Sequence, residues 1–208
     1  MPQADVKVLA FNHDRPPFND VRVREAICHA IDRQALIDAV WPGAAAPIGG
    51  EFSPRDPFYV DLTAICAQDR AQARALLAEA GYERGFETTI KVPFDEEYLR
   101  LADELARQLG EIGVTLQIQH VDWMVFLNEV FFGRDFDLTV MVHKSKLDPL
   151  EALSRYTSDS PWNYVNHRDA VYDELWKTAK QTSGHELRDA IAELQRVRWS
   201  IFRPYNGF

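Results

Sequence analysis

Residues 86 to 121 hold the feature that most restricts how this chain can fold. From Phe86 to Phe94 the residues alternate, with Thr88, Ile90 and Val92 on one side and Thr89 and Lys91 on the other. This is the period-two pattern of a strand. An amphipathic run follows, with Leu101, Ala102, Leu105, Ala106, Leu109 and Ile112 at helical spacing, and Gly113 stops it. Val114 to Val121 alternates again. Strand, helix and strand within about 35 residues predict a right-handed βαβ unit with parallel strands. A helix from Trp123 to Phe132 and a third strand from Phe136 to Val142 extend the same alternation.

The flanking segments fit one α/β domain. Val6 to Phe11 reads as a strand, ended by Asp14-Arg15-Pro16-Pro17, where proline removes a backbone donor. Asp20 is a plausible N-cap for a helix carrying Val23, Ala26, Ile27, Ala30 and Ile31. A second helix through Leu36, Ile37 and Val40 ends at Trp41-Pro42-Gly43. Residues 42–62 contain Pro42, Pro47, Pro54 and Pro57, and read as a long ordered loop holding Phe52, Phe58 and Tyr59. Asp69 and Gln72 open a third helix, closed by Gly81. The C-terminal third is helical over 150–156, 170–181 and 186–202. The expected fold is a mixed, mainly parallel sheet flanked by helices, with a helical C-terminal third.

Other features exclude function classes. No 18-residue apolar run exists, so no helix crosses a membrane. The amino terminus lacks the basic and apolar regions of a signal peptide, which leaves a protein retained inside the cell or a mature segment. A net charge of −9 disfavours nucleic acid as a partner. Cys28, inside the apolar helical AICHAI, is expected to pack as a small hydrophobe, and Cys66 lies in the loop-like DLTAICAQD. Their spacing matches no metal or redox motif, and a disulfide between them is not expected. The six histidines show no HxxxH or HExxH spacing, so no metal site is predicted, with His143 the best single candidate ligand. Neither a G-x-S-x-G nor a glycine-rich phosphate loop occurs. No enzyme and no cofactor are therefore expected.

Several segments, in order, carry a resemblance. They are Pro16-Pro17-Phe18-Asn19-Asp20-Val21-Arg22-Val23-Arg24-Glu25-Ala26, Ala30-Ile31-Asp32-Arg33, and Ala75-Leu76-Leu77-Ala78-Glu79-Ala80-Gly81-Tyr82. Gln108-Leu109-Gly110-Glu111-Ile112-Gly113-Val114, Phe136-Asp137, Asp148-Pro149 and Asn163 ahead of Asp173-Glu174-Leu175 follow. Together they resemble family 5 of the bacterial extracellular solute-binding proteins, the peptide- and nickel-binding components of ABC importers. The resemblance implies a periplasmic-binding-protein-like fold, in which two α/β lobes close on a ligand and are then recognised by a membrane permease. It implies a periplasmic or extracellular place, membrane-associated through the transporter. On this reading residues 1–208 are a single C-terminal lobe, and the N-terminal lobe is absent. An alternative is the ligand-sensing domain of a transcriptional regulator, whose DNA-binding part would lie upstream.

Open α/β sheets bind ligands beyond the carboxyl ends of their strands. Here the third strand leads into His143-Lys144-Ser145-Lys146-Leu147-Asp148-Pro149. In similar peptide-binding members, an aspartate three residues before the acidic-Pro pair meets the peptide's α-amino group. This chain has Ser145 there, which carries no charge, between two lysines. Lys144 and Lys146 either favour an anionic ligand or face solvent. Asp148 reads as a helix N-cap before Pro149. Further on, Trp162, Asn163 and Tyr164 either line a wide ligand site or cover the sheet edge, with Asn163 holding the loop. Trp123 is expected in the core. The candidate ligand-binding residues are thus His143, Ser145, Trp162, Asn163 and Tyr164, and the ligand a peptide or small molecule.

Overall fold

The computed structural model describes residues 6–144 and 146–202, with side chains through residue 198. Its strands are β1 (Val6–Phe11), β2 (Phe86–Pro93), β3 (Val114–Val121) and β4 (Leu138–His143), in the order β1-β4-β2-β3. β2 and β3 pair in parallel, Phe86 with Val114 through Pro93 with Val121, and β2 is also parallel to β4. β1 runs antiparallel to β4, which brings Val6 opposite His143. The sheet is therefore mixed and mainly parallel, as the alternation of elements requires. Its three parallel strands finish at one edge, beside the start of β1.

The helices are α1 (Val21–Ala30), α2 (Arg33–Val40), α3 (Arg70–Glu79), α4 (Glu96–Gly110), α5 (Trp123–Val125), α6 (Pro149–Ser154), α7 (Ala170–Ala179) and α8 (Gly184–Phe202). An aspartate caps each of α1 to α7: Asp20, Asp32, Asp69, Asp95, Asp122, Asp148 and Asp169. Each carboxylate accepts a hydrogen bond from a backbone N–H that the first turn leaves without a helical partner. Asp148 does so for Leu150 at 2.9 Å, with Pro149 next to it at the first helical position. α5 continues as a wider helical segment over Phe126–Phe132, closed where Gly133 N–H donates to Asn128 O at 2.8 Å, five residues back. A Cβ on Gly133 would press on the carbonyls of Asn128 and Glu129, so a residue without a side chain ends this segment.

Both faces of the sheet are covered. Leu9 and Phe11 of β1, with Ile90, Val92, Leu138 and Val140, pack against Ile27, Leu36, Ile37, Leu77, Leu101, Leu105 and Leu109 of α1 to α4. On the other face Ala10 joins Phe126, Val130, Phe136, Leu153, Tyr156, Tyr164, Tyr172, Ile191 and Leu194, from α5 onward. Successive β1 residues thus enter different clusters, as the pleat demands. Phe136, expected to begin the third strand, precedes it as a fully buried plug. The neighbouring Asp137 leaves the ladder because its carboxylate accepts from Thr89 Oγ1 at 2.8 Å and its carbonyl from Asn12 N–H at 3.0 Å.

The cysteine expectation is overturned. Cys28 of α1 and Cys66 form a disulfide, with Cα atoms 5.7 Å apart. No local pattern signals it, because the long loop after α2 creates the proximity. Ile48 and Leu62 pack on Val6 and Val8 of β1, a 3-10 turn forms at Thr63–Cys66, and Cys66 reaches α1. Asp69 N–H donates to His29 O at 2.8 Å, and Arg33 Nη1 to Thr63 O at 3.3 Å, fixing the same junction.

Candidate functional site

At the carboxyl end of β4 a cavity of about 330 Å³ opens, lined by Phe131, Met141, Val142, His143, Lys144, Lys146, Glu151, Ser154, Arg155, Trp162 and Tyr164. It lies where the parallel strands of the sheet finish, the place at which α/β sheets expose backbone ends and loops to a ligand. Three of the sequence candidates, His143, Trp162 and Tyr164, line it together. Ser145 lies outside the described residues.

His143 forms part of the floor. Its ring is buried, with Nδ1 3.1 Å from Glu51 Oε1 and Nε2 2.9 Å from Tyr164 Oη. A carboxylate can only accept, so Nδ1 carries the proton toward Glu51 and Nε2 accepts from the tyrosine. Burial lowers the His143 pKa to about 4 against the opposing pull of Glu51, which leaves a neutral imidazole near neutral pH. Burial also holds the Tyr164 hydroxyl in its protonated form.

Beneath the floor, the Glu51 carboxylate is the hub of a buried polar group. Tyr156 Oη donates to Oε2 at 2.7 Å, Arg198 Nη1 lies 3.2 Å from Oε2, and Arg155 Nη1 lies 3.6 Å from Oε1. The Arg198 guanidinium also stacks 4.5 Å above the Tyr156 ring. Burial alone would raise the Glu51 carboxyl. The His143 N–H and the Arg155 and Arg198 guanidiniums override it, holding the group well below the usual carboxylate range. Glu51 is therefore an ionised, buried anchor.

The wall is aromatic. Phe131 stacks on Tyr164, centroids 5.5 Å apart at 29°, and meets Trp162 at 6.0 Å. Trp162 is 56% exposed and lines the cavity. Asn163 turns the other way. It is 3% exposed, its Nδ2 donates to Thr157 O and His167 O at 3.1 and 2.6 Å, and its Oδ1 accepts from His167 N–H at 3.0 Å. Of the two roles open to it, the geometry gives Asn163 the clamp of the 157–167 loop. Of the lysines, Lys146 is paired with Glu151 at 2.7 Å, while Lys144 stands exposed at the mouth.

Further along the same edge lies an apolar rim. Phe94 follows β2 and hydrogen-bonds Val121 O at the end of β3, and it is 76% exposed. Trp123, expected in the core, is 53% exposed instead and stacks on the buried Phe126 at 5.7 Å. The Asp122 cap starts α5 in the direction that buries Phe126 and Val130, which leaves Trp123 and Met124 outside.

Sequence reasoning did not find Glu51, Arg155 or Arg198. One local signal existed, the Gly49-Gly50 pair before Glu51 in a loop full of prolines. A Cβ on Gly49 would collide with the backbone of Leu62 and Thr63, so the loop comes too close to itself there for any side chain. Among the described residues no group of three or more His, Cys, Asp or Glu is arranged to hold a metal ion.

Similar proteins share this fold across the whole chain. The dipeptide-binding protein of Escherichia coli K12 is 26% identical over 206 residues, covering 95% of this chain and 38% of that protein. Heme-binding protein A of Haemophilus influenzae is 32% identical over 124 residues, 57% of this chain and 23% of its own length. Among solved structures, the dipeptide-binding protein of Pseudoalteromonas sp. SM9913 in complex with Met-Leu superposes with a TM-score of 0.89 at 24% identity. That match covers 98% of this chain and 42% of the other. The ABC transporter substrate-binding protein CtaP of Listeria monocytogenes gives 0.88 at 25% identity, covering 100% and 44%. The chain thus spans less than half the length of these relatives. Residues 1–164 match the model of the bacterial extracellular solute-binding proteins, family 5 (middle region), and the chain belongs to that family.

Proposed function

We propose that this chain is the ligand-capturing C-terminal lobe of an ABC importer's substrate-binding protein, and that the β4 cavity is its share of the ligand site. The observation that carries this is the cavity itself, with aromatic faces and convergent polar groups at the carboxyl edge of the sheet. The exposed Phe94, Trp123, Met124 and Phe132 beside it suit a surface that a second, N-terminal lobe covers on closing. Relatives named for dipeptides support a peptide or similar small solute as the ligand class; on this reading the closed form is presented to a membrane permease. No catalytic step is assigned, because the cavity's histidine is locked between Glu51 and Tyr164 rather than poised beside a nucleophile. The Cys28–Cys66 bond supports a place outside the cytoplasm, where disulfides persist.

Titration of tryptophan fluorescence with mixed di- and tripeptides tests this reading. A saturable change is expected, weak because one lobe encloses half a ligand, and lost in Trp162→Ala. If no solute moves the signal, or if Trp162→Ala leaves it intact, the cavity is not the ligand site.

A further inference from the structure

The charges around the cavity say which end of a ligand it takes. Three cations, Lys144, Lys146 and Arg155, line it with one carboxylate, Glu151, in a chain whose net charge is −9. That carboxylate is already engaged by Lys146 at 2.7 Å. Glu51, beneath the floor, has a side chain 2% exposed and is committed to Tyr156, Arg198, Arg155 and His143. An ammonium entering the cavity therefore meets three cations and must compete with Lys146 or reach through the floor for a counter-charge. Arg155, held by Ala152 O at 2.9 Å and by Glu51, adds its positive field from the side. Lys144 stands exposed at the mouth, next to the neutral His143.

We infer that the cavity takes a carboxylate rather than an ammonium from its ligand, with Lys144 as the pairing residue. The ligand's apolar body lies against Trp162 and Phe131. This deepens the proposed capture of a solute and rests on it. The carboxylate gains a charge-assisted hydrogen bond from the exposed Lys144 ammonium. The flat, exposed face of Trp162 supplies area without orientation, so it sets affinity while Lys144 sets charge preference. A cavity of about 330 Å³ has room for one amino-acid-sized moiety, the low end of small-molecule sites.

Three probes of the same shape separate the possibilities: N-acetylphenylalanine (anion), N-acetylphenylalaninamide (neutral) and phenylalaninamide (cation). Each is titrated into the chain and followed by amide chemical shifts. The anion is expected to bind about tenfold tighter than the neutral probe, and the cation weakest of all. Lys144→Gln should bring the anion down to the level of the neutral probe, and added salt should narrow the gap. The exposed position of Lys144 keeps the variant folded, which circular dichroism verifies. Equal or tighter binding of the cation, or an anion preference untouched by Lys144→Gln, overturns the carboxylate assignment while leaving solute capture standing. Failure of all three probes to shift the resonances of the cavity overturns both.

Discussion

Replacing Glu51 by glutamine tests whether the buried anion organises the floor of the cavity. Glutamine keeps the volume and one acceptor oxygen, so packing is unchanged and only the charge and half of the accepting capacity are removed. In the parent, the carboxylate faces Arg198 at 3.2 Å, Arg155 at 3.6 Å, the Tyr156 hydroxyl at 2.7 Å and His143 Nδ1 at 3.1 Å. The Arg198 side chain is fully buried and water cannot take over the role of the lost anion. Removing one partner of a buried ion pair costs about 3–5 kcal/mol. Against a typical domain stability of about 5–15 kcal/mol this is a large fraction. For a chain of this size it corresponds to a fall in Tm of roughly 6–20 °C. Urea denaturation followed by far-ultraviolet circular dichroism, with calorimetry for Tm, measures it. The double variant Glu51→Leu/Arg198→Met should recover part of the loss, because it withdraws both charges and fills the space with apolar atoms. A single variant within about 0.5 kcal/mol of the parent, the range of ordinary surface substitutions, would refute the reasoning.

Two further perturbations address neighbouring parts of the structure. Opening the Cys28–Cys66 bond, with its sequence separation of 38, should cost about 4 kcal/mol from loop closure in the unfolded chain; denaturation of Cys28→Ser/Cys66→Ser against the oxidised parent checks this, and equal stability would show the bond idle. Acid should weaken the fold through His143. The unfolded chain takes a proton on this ring as pH falls through its ordinary value, whereas the folded ring resists until about 4. Stability is then full near neutrality and falls across that window, by on the order of 3 kcal/mol. Glu51 continues the loss at lower pH, since stability from a depressed carboxyl is present above its unfolded value and vanishes as pH falls through the folded one. His143→Gln should flatten the stability profile between neutrality and about pH 4, and an unchanged slope would assign the acid sensitivity elsewhere.

The sheet and most helices could be read from the residues because their signals are local. Alternation in 86–94 and 114–121 decides both strand identity and which face is buried, and an aspartate before a helical run is a capping device complete within four residues. The position of the cavity was also legible, since a parallel strand ending in His143 has only one edge at which to present it. What depends on distant chain was not. Glu51 lies 92 residues before His143, and neither residue alone reports the other. Cys28 and Cys66 look like unrelated thiols until the loop between them folds back over β1. The aromatics were open to two readings for one reason: an aromatic side chain suits a core and a ligand wall equally. Trp123 is turned outward by the capping geometry of α5, whereas Asn163 is drawn inward by three backbone groups of its own loop.

The repeated aspartate caps have a consequence beyond the helices they start. Seven of the negative charges behind the net −9 sit on helix amino termini, where aligned peptide dipoles present roughly half a positive charge each. Each of these seven carboxylates, of the 32 in the sequence, is thereby partly compensated where it sits. A small anion approaching the edge of β4 meets Lys144, Lys146 and Arg155 at close range, whereas carboxylates farther away are screened by salt. An acidic protein can in this way keep one approach open to solutes of its own sign.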